Sequence, residues 1–418
     1  MIIKATIVAF FIFSNPFLIA NCDLGTLYDG YKLLSLAPGR EEQVLALKEL
    51  QASGVVFPAS LSATIHKKCD ILVSPLQMEM VLSVIKFHGM EYEEKIPDVG
   101  QFIRSQRVIN GTNNGRLTWD AYYTLDAITE YLEAQVAQHS QIASLINIGN
   151  TFENRNLTLI KIASGPQPKP IIYIESNIHA REWITGAVAT HIIDQLLNGP
   201  DAVMQSYVDR FDFYILPIAN PDGFEYTHTV DRFWRKTRSS TPSPIGCRGA
   251  DPNRNFEAYW MENGGGSADP CSNTYAGHRP FSEPECQSMA NFMLEPEINN
   301  NIVMFLSLHS AGQYLLIPTG LNEDKIPEYD DYMLRANDAA LAHTNVFGKN
   351  YTAGSIYDLM YPATGSSMDW AYLNVDASFH VTYELRDKGQ YGHLLPPDQI
   401  LPSCVEFLAG FKVLLSYL

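Results

Sequence analysis

The 418-residue chain is 46% hydrophobic, so it is long and apolar enough for one large core and a second, smaller one. Its formal net charge of −17 at pH 7 argues against nucleic acids and anionic membrane surfaces as partners, because both carry negative charge. Soluble peptides are not excluded as substrates.

Residues 1–20 have the pattern of a secretory signal peptide. One basic residue precedes a short apolar stretch from Ala5 to Ala20, which is interrupted by Asn15 and Pro16. The alternative is a membrane anchor, but the run is too short and too broken to cross about 30 Å of hydrocarbon. We therefore expect a secreted, extracellular protein. No later segment looks apolar enough to cross a bilayer.

Residues 21–110 predict a small α+β domain and its linker. Helical patterns over Glu41–Gln51 and Leu76–His88 alternate with short β-like runs. From Arg104 to Gly115 the chain becomes polar, with two arginines, two glycines and three asparagines, which is typical of a linker.

Residues 111–418 predict a larger α/β domain. Strand-like runs at Pro170–Glu175, Phe213–Pro217, Ile302–Leu308 and Ala377–Tyr383 alternate with helical patterns such as Trp183–Leu197. This alternation predicts a mixed, mostly parallel twisted sheet with helices on both faces. In such sheets ligands bind beyond the carboxyl ends of the strands.

Two histidines and one glutamate follow the ends of these strands. The sequence Asn-Ile-His-Ala-Arg-Glu-Trp-Ile places His179 in a loop and Glu182 at a helix start, so both side chains can meet one ion. His309, at the end of another apolar strand, is the candidate third ligand. Three such ligands with an open fourth position are what a catalytic zinc ion requires.

Three other polar clusters could also carry chemistry. Glu384 ends a strand and suits a general base, unless it only forms a salt bridge to Arg386. Arg235, in a basic and aromatic cluster, could stabilise an oxyanion, or belong to a solvated basic patch. Asn253 and Arg254 could bind a terminal carboxylate, or form an ordinary turn.

Six cysteines in an exported chain indicate disulfides, since none lies in a Cys-x-x-Cys arrangement. Cys247 and Cys271 flank a Gly/Ser-rich loop and are the expected pair. The pairs that would complete the set are Cys22 with Cys69 and Cys286 with Cys404, although the sequence alone does not determine the connectivity.

Taken together, these clusters resemble the zinc metallocarboxypeptidases of the pancreatic carboxypeptidase A and B type. Matching runs occur at His179–Ile184, Asn220–Phe224, Trp234–Arg238 and Tyr383–Asp387. The resemblance is weaker but continuous over the N-terminal domain, where the run beginning at Ile96 is similar to the end of the family's inhibitory prosegment. It therefore implies a zymogen that a trypsin-like protease activates near Arg104 or Arg107, with a monomeric enzyme acting on peptide C-termini.

The resemblance also implies functional roles. His179, Glu182 and His309 would bind one zinc ion, Glu384 would act as general base and acid, and Arg235 would stabilise the oxyanion. The residues implied to bind substrate are Arg181, Arg232, Asn253, Arg254, Tyr361, Ser310, Gly320, Ile356 and Met368.

Within that set the implied roles differ. Asn253, Arg254 and the mobile-loop residue Tyr361 would hold the terminal carboxylate, with Arg181 as an auxiliary. Arg232 would serve an outer subsite. The resemblance further implies that Asp251 orients His179. One departure is Ala311, which stands after His309 and Ser310 where the family commonly has an aromatic residue, so the resemblance does not predict the preference upstream of the scissile bond.

The pocket for the terminal side chain is expected to be apolar. The resemblance puts Met368 at its floor and Ile356, Ala363 and Thr382 in its walls, with Gly320 leaving room. A carboxylate at the floor would select Lys and Arg, so we expect hydrophobic or aromatic C-termini instead.

Two other classes of function are considered. A silent relative that only binds peptide C-termini would be expected to lack a ligand or the base, and none is missing here. A serine hydrolase is disfavoured because the chain has no Gly-x-Ser-x-Gly sequence.

Overall fold

The computed structural model describes residues 24–53, 55–58 and 65–418. The predicted signal peptide and Cys22 lie outside these residues. The strands are β1 Lys32–Leu36, β2 Val56–Pro58, β3 Cys69–Val73, β4 Tyr92–Ile96, β5 Val108–Ile109, β6 Tyr122–Tyr123, β7 Ala143–Asn150, β8 Asn156–Ile162, β9 Ile171–Ser176, β10 Asp212–Leu216, β11 Ile302–Ser310, β12 Tyr314–Ile317, β13 Thr352–Ser355 and β14 Phe379–Leu385. The helices are α1 Glu41–Ala52, α2 Met78–Phe87, α3 Val99–Ser105, α4 Leu125–Gln138, α5 Trp183–Leu197, α6 Ala202–Arg210, α7 Pro221–Thr229, α8 Pro284–Met293, α9 Pro296–Asn299, α10 Tyr329–Phe347, α11 Ile356–Leu359, α12 Ser367–Asn374 and α13 Ile400–Ser416.

The N-terminal part is a four-stranded antiparallel sheet in the order β2-β3-β1-β4. Its strands and helices α1 and α2 share a small apolar core that includes Leu34, Leu47, Ile71 and Ile85. The predicted α+β character of this region agrees with these elements.

The main sheet has eight strands in the order β13-β12-β14-β11-β9-β10-β8-β7. Four neighbouring pairs are parallel and three are antiparallel. Side chains alternate along each strand, so Ile172 and Ile174 of β9 pack in one apolar cluster and Ile171 and Tyr173 in the other. Helices cover both faces, and the predicted α/β fold class is confirmed.

The segment predicted as a linker is more ordered than expected. Arg104 lies inside α3, which begins after Asp98, whose side chain accepts a hydrogen bond from the backbone N–H of Gln101 at 2.9 Å. Val108–Ile109 then pairs in parallel with Tyr122–Tyr123. The linker prediction at Arg104 is therefore wrong, because a capped helix continues to Ser105.

One of the expected disulfides is present and one is not. Cys247 and Cys271 are bonded, with their Cα atoms 5.2 Å apart. Cys286 and Cys404 are both buried as free thiols. The predicted bond between them is wrong because the two residues belong to apolar clusters on opposite faces of the sheet.

One helical stretch passes a length and composition test for a membrane span. Pro397–Ser416 has a mean hydropathy of 1.3 over its best window, and 56% of that window is buried inside the protein. Most of this stretch is α13, which packs against α10 and α5 inside the main domain.

Acid should destabilise the fold through buried neutral histidines, of which His343 is the clearest. Its ring stacks on Tyr351, neither ring nitrogen has a hydrogen-bond partner in the described part of the chain, and burial lowers the pKa of His343 to about 3. An unfolded histidine has a pKa near 6.5, so the unfolded state binds the extra proton as the pH falls from about 6.5 toward 3. His343→Phe should therefore weaken the pH dependence of the free energy of unfolding between pH 6 and 4 by about 1 kcal/mol per pH unit. Urea unfolding at several pH values measures this slope, and an unchanged slope would contradict the argument.

Candidate metal centre and substrate cavity

Parallel strands bring the predicted chemical groups to one edge of the sheet. His309 of β11 lies directly opposite Glu384 of β14 in their parallel pairing. His179 follows β9, the strand on the other side of β11, and Glu182 precedes α5. All four side chains are buried and line one cavity of about 150 Å³.

Three of these side chains form a cluster that could hold a metal ion. Nδ1 of His179 lies 3.0 Å from both Nδ1 of His309 and Oε1 of Glu182, and Nδ1 of His309 lies 3.3 Å from Oε2 of Glu182. Ligand atoms about 2.0–2.1 Å from a tetrahedral zinc ion are about 3.3 Å apart. The spacing and the two-nitrogen, one-carboxylate donor set therefore fit zinc.

A buried aspartate holds two of the neighbouring side chains in position. Oδ1 of Asp251 lies 3.0 Å from Nε2 of His179, and its Oδ2 accepts hydrogen bonds from Nε and Nη2 of Arg235 at 3.0 and 2.9 Å. Although burial opposes ionisation, Arg235 and His179 hold the pKa of Asp251 well below its usual value. The ionised carboxylate leaves Nδ1 of His179 directed at the cluster.

The pKa values of the two glutamates of the site are shifted in opposite directions. Although burial opposes ionisation, His179 and His309 hold the pKa of Glu182 well below its usual value. Burial raises the pKa of Glu384 to about 8, so this carboxyl can both take and release a proton near neutral pH. The alternative salt bridge from Glu384 to Arg386 does not form, because Arg386 instead pairs with the buried Glu406.

Hydrogen-bond donors converge on the same cavity from a second direction. Nη2 of Arg254 donates to the hydroxyl of Tyr361 at 3.1 Å, and its Nη1 donates to the carbonyl of Asn253 at 2.7 Å. Nδ2 of Asn253 lies 3.4 Å from Nε2 of His309. A carboxylate placed here would meet a guanidinium fork, an amide and a phenol.

The rest of the cavity wall combines an apolar part with polar side chains. The other residues of the predicted set that line it are Arg181, Ser310, Ile356, Ala363 and Thr382, and Ala311 lies there as well. The residues that line it but that the sequence did not single out are Leu316, Met360, Ser366 and His393. These four come from a short strand and from loops with no motif spacing, so only the fold reveals them.

Two residues predicted for the pocket lie behind this wall. Met368 is 1% exposed, and its Sδ accepts a hydrogen bond from the hydroxyl of Thr382 at 3.4 Å. Gly320 allows a close approach, because a Cβ there would lie 2.2 Å from the carbonyl oxygen of Ala363. Asp369 is buried, accepts a hydrogen bond from the backbone N–H of Gly320 at 2.9 Å, and does not line the cavity.

The two remaining arginines differ in their access to the cavity. Arg181 lines it, and burial lowers the pKa of Arg181 to about 10. Arg232 is fully buried and stacks on the ring of Trp183, 3.5 Å from its centroid. Its Nε donates to Oε1 of Gln106 at 3.0 Å, so the N-terminal region reaches this side chain.

Comparisons with known proteins agree with this geometry. The family model described as zinc carboxypeptidase matches residues 128–410, and the one described as carboxypeptidase activation peptide matches residues 34–106. Carboxypeptidase B of Astacus astacus is 39% identical over 301 residues, which cover 72% of this chain and 98% of that protein. Carboxypeptidase A1 of Rattus norvegicus is 35% identical over 390 residues, covering 90% and 91%. The crystal structure of thrombin activatable fibrinolysis inhibitor is similar in fold, with a TM-score of 0.86 at 29% identity and coverage of 92% and 98%.

Proposed function

The chain belongs to the zinc carboxypeptidase family and carries an activation peptide, and from that premise we propose that it is a secreted zymogen that removes hydrophobic residues from peptide C-termini. The observation that carries the proposal is a single cavity holding a metal-binding triad, a buried glutamate and the donors for a terminal carboxylate. Relatives named as A-type and B-type match at similar identity, so the side-chain preference is argued from the residues of this chain.

We assign one zinc ion to His179, Glu182 and His309. When bound, zinc would supply Lewis acidity toward the scissile carbonyl and lower the pKa of a water molecule. Glu384 lies beside the triad and accepts a proton from the attacking water. It then donates that proton to the leaving amine.

Arg235 is assigned to the developing oxyanion. Two of its nitrogens bind Asp251, while Nη1 lies 3.6 Å from Oε1 of Glu182 at the edge of the triad. Asp251 thus holds the guanidinium beside the reacting carbonyl, where a preorganised positive charge is most effective.

Asn253, Arg254 and Tyr361 are assigned to the terminal carboxylate, with Arg181 as an auxiliary. Their donors line the same cavity as Glu384 and the metal-binding triad. Fixing the carboxylate there allows only the last peptide bond to reach Glu384, which makes the enzyme an exopeptidase.

The apolar wall supports a preference for hydrophobic C-terminal residues. Leu316, Ile356 and Met360 would surround the terminal side chain, and Met368 closes the space behind Thr382. A lysine or arginine there would bury an unpaired charge, whereas an aromatic ring gains about 25 cal/mol per Å² of buried area.

Met368→Asp should shift the preference toward basic residues. The wild type should hydrolyse blocked dipeptides ending in Phe at least about 100-fold more efficiently than those ending in Arg, and the variant should lower this kcat/KM ratio by about tenfold or more. Met368→Ile, which keeps the wall apolar, is the matched control and should retain the preference for Phe. A wild type that prefers Arg, or a ratio that does not move, would contradict the assignment.

Residues 21–110 are proposed as the inhibitory prosegment and linker, and residues 111–418 as the catalytic domain. Several N-terminal apolar residues pack with Leu394 of the larger part, namely Leu33, Leu72, Ile96, Val99 and Ile103. Lys67 donates to the carbonyl of Met360, the residue before Tyr361, and Tyr28 donates to Asp231 at 2.5 Å. These contacts support a prosegment that restrains the loop of Tyr361 and limits access to the cavity.

The outer subsite is proposed at Arg232. Its three hydrogen bonds go to Oε1 of Gln106 and to the carbonyls of Arg181 and His393. Removal of Gln106 with the prosegment would free Nε of Arg232 for an upstream part of the substrate. Ser310 and Ala311 line the cavity, and the small Ala311 leaves the upstream residue loosely selected.

Cleavage by a trypsin-like protease should activate the protein at Arg107. Arg107 follows α3, and its side chain is 58% exposed although it pairs with Asp120, whereas Arg104 lies within the helix and pairs with Asp29. Because proteases need an exposed and extended segment, Arg107→Gln should stay latent under limited trypsin treatment and Arg104→Gln should be activated like the wild type. Hydrolysis of a blocked dipeptide before and after proteolysis measures this. Equal activity before and after cleavage of the wild type would contradict latency.

Secretion and a monomeric state complete the proposal. The pattern of residues 1–20 and the disulfide between Cys247 and Cys271 both suit an exported protein. The N-terminus of the protein recovered from culture medium tests export directly.

A further inference from the structure

A buried carboxyl beneath the substrate cavity belongs to none of the groups assigned above. Glu175 lies near the end of β9, opposite Ser307 of β11 in their parallel pairing, and has no exposed surface. Its Oε1 accepts a hydrogen bond from the hydroxyl of Ser307 at 2.7 Å and another from the hydroxyl of Ser367, the first residue of α12. Its Oε2 has no partner within the described ranges, and burial raises the pKa of Glu175.

Ser367 connects this carboxyl to the proposed carboxylate-binding amide. The backbone N–H of Ser367 donates to Oδ1 of Asn253 at 2.9 Å. With Oδ1 used in this way, Nδ2 of Asn253 is left as the donor on the cavity side. The orientation of the Asn253 amide therefore depends on where the first turn of α12 sits.

Glu175 accepts a hydrogen bond from the first residue of that turn. The Ser367 hydroxyl lies 3.4 Å from Oδ1 of Asn253, a longer distance than its bond to Glu175. While it donates to Glu175, the hydroxyl holds α12 against β9 and does not compete for Oδ1. Ser307 shares the same carboxyl oxygen and lies two residues before His309, so one group joins three segments of the site.

We propose that Glu175 is a positioning residue for substrate binding, which orients the amide of Asn253 toward the terminal carboxylate through Ser367. Removing its acceptor oxygens should loosen α12 and misalign the amide. Because Glu175 has no hydrogen bond to Glu384 or to the metal-binding triad among the described residues, KM should rise while kcat changes little. The assignment rests on the proposed function, in which Asn253 binds the substrate carboxylate.

Two variants of similar volume separate hydrogen bonding from packing. Glu175→Leu removes both acceptors, whereas Glu175→Gln keeps an oxygen for the two serine hydroxyls. The full-length variants are expressed, activated with protease and assayed on a blocked dipeptide ending in Phe. Under these conditions Glu175→Leu should raise KM about five- to tenfold and change kcat less than threefold. Glu175→Gln should stay within about twofold of the wild type in both constants.

A matched control uses Glu285, another fully buried glutamate, which lies on α8 and does not line the cavity. Glu285→Leu should leave KM unchanged if the effect of Glu175 is specific, whatever it does to the melting temperature. Calorimetric binding of 3-phenylpropionate, which offers a phenyl ring and a carboxylate, gives a readout that does not need turnover. Its Kd should weaken about as much as KM rises in Glu175→Leu.

The outcomes distinguish this assignment from the proposed function. An inactive wild type would refute the proposed function, and the calorimetric comparison would still decide the role of Glu175. An unchanged KM and Kd in Glu175→Leu would overturn the assignment, whether or not the melting temperature falls. If Glu175→Leu does not fold, Ser367→Ala should raise KM about threefold, and an unchanged KM in that variant would overturn it.

Discussion

Glu384→Gln should lower kcat by about 10²- to 10⁴-fold and leave KM nearly unchanged. The side chain is buried beside the triad, and burial raises the pKa of Glu384 to about 8, so it suits a group that takes and returns one proton in each turnover. Glutamine has the same shape but cannot accept that proton. Steady-state kinetics on a blocked dipeptide ending in Phe measure the loss.

The control for this variant is Glu285→Gln. Burial also raises the pKa of Glu285 to about 8, but this residue lies on α8 outside the cavity. It should keep wild-type kcat. Glu384→Gln should also keep its zinc, because Glu384 is not part of the triad. A Gln variant with a large share of the wild-type rate would refute the role of Glu384 as the base.

Removal of zinc should abolish activity, and added zinc should restore it. Three protein ligands hold a catalytic zinc with one position open, and the metal supplies most of the activation of water and carbonyl. Because only the folded chain brings His179, Glu182 and His309 together, zinc should also raise the melting temperature of the chelated protein. Metal analysis, hydrolysis rate and thermal unfolding before and after chelation test this.

His309→Ala provides the matching variant, and it should bind less than one zinc per chain and remain inactive in added zinc. His343→Phe replaces a buried histidine that stacks on Tyr351 and does not line the cavity, so this variant should keep its zinc and its activity. Full activity in the chelated wild type would contradict a metal-dependent mechanism.

The fold and the triad could be anticipated because their signals are local. Apolar runs of five to seven residues mark the strands β9, β10, β11 and β14, and the predicted helix Trp183–Leu197 has the observed bounds. His179, His309 and Glu384 each stand at or just after a strand end, and parallel strands place those ends side by side.

Other features depend on contacts that no local pattern encodes. In the sequence, Glu175 is a single acidic residue near the end of an apolar strand. Its hydrogen-bond donors, Ser307 and Ser367, reach it only because β11 and α12 pack beside that strand. The helix through Arg104 is not evident in the sequence because it is only seven residues long and ends in polar Arg104 and Ser105, while its stability comes from the Asp98 cap and from buried Val99 and Ile103. The free thiols of Cys286 and Cys404 follow from the sheet that separates them.

The central claim is most directly tested by mass spectrometry of a synthetic peptide ending in Phe after incubation with the trypsin-activated, zinc-loaded protein, once the trypsin has been inhibited. The same peptide with an amidated C-terminus, and one ending in Arg, are run beside it. The account predicts that the free-acid peptide loses its single terminal Phe, while the amidated peptide stays intact and the Arg peptide is shortened far more slowly. Cleavage at internal bonds, equal shortening of the amidated peptide, or no shortening of the free-acid peptide would contradict it.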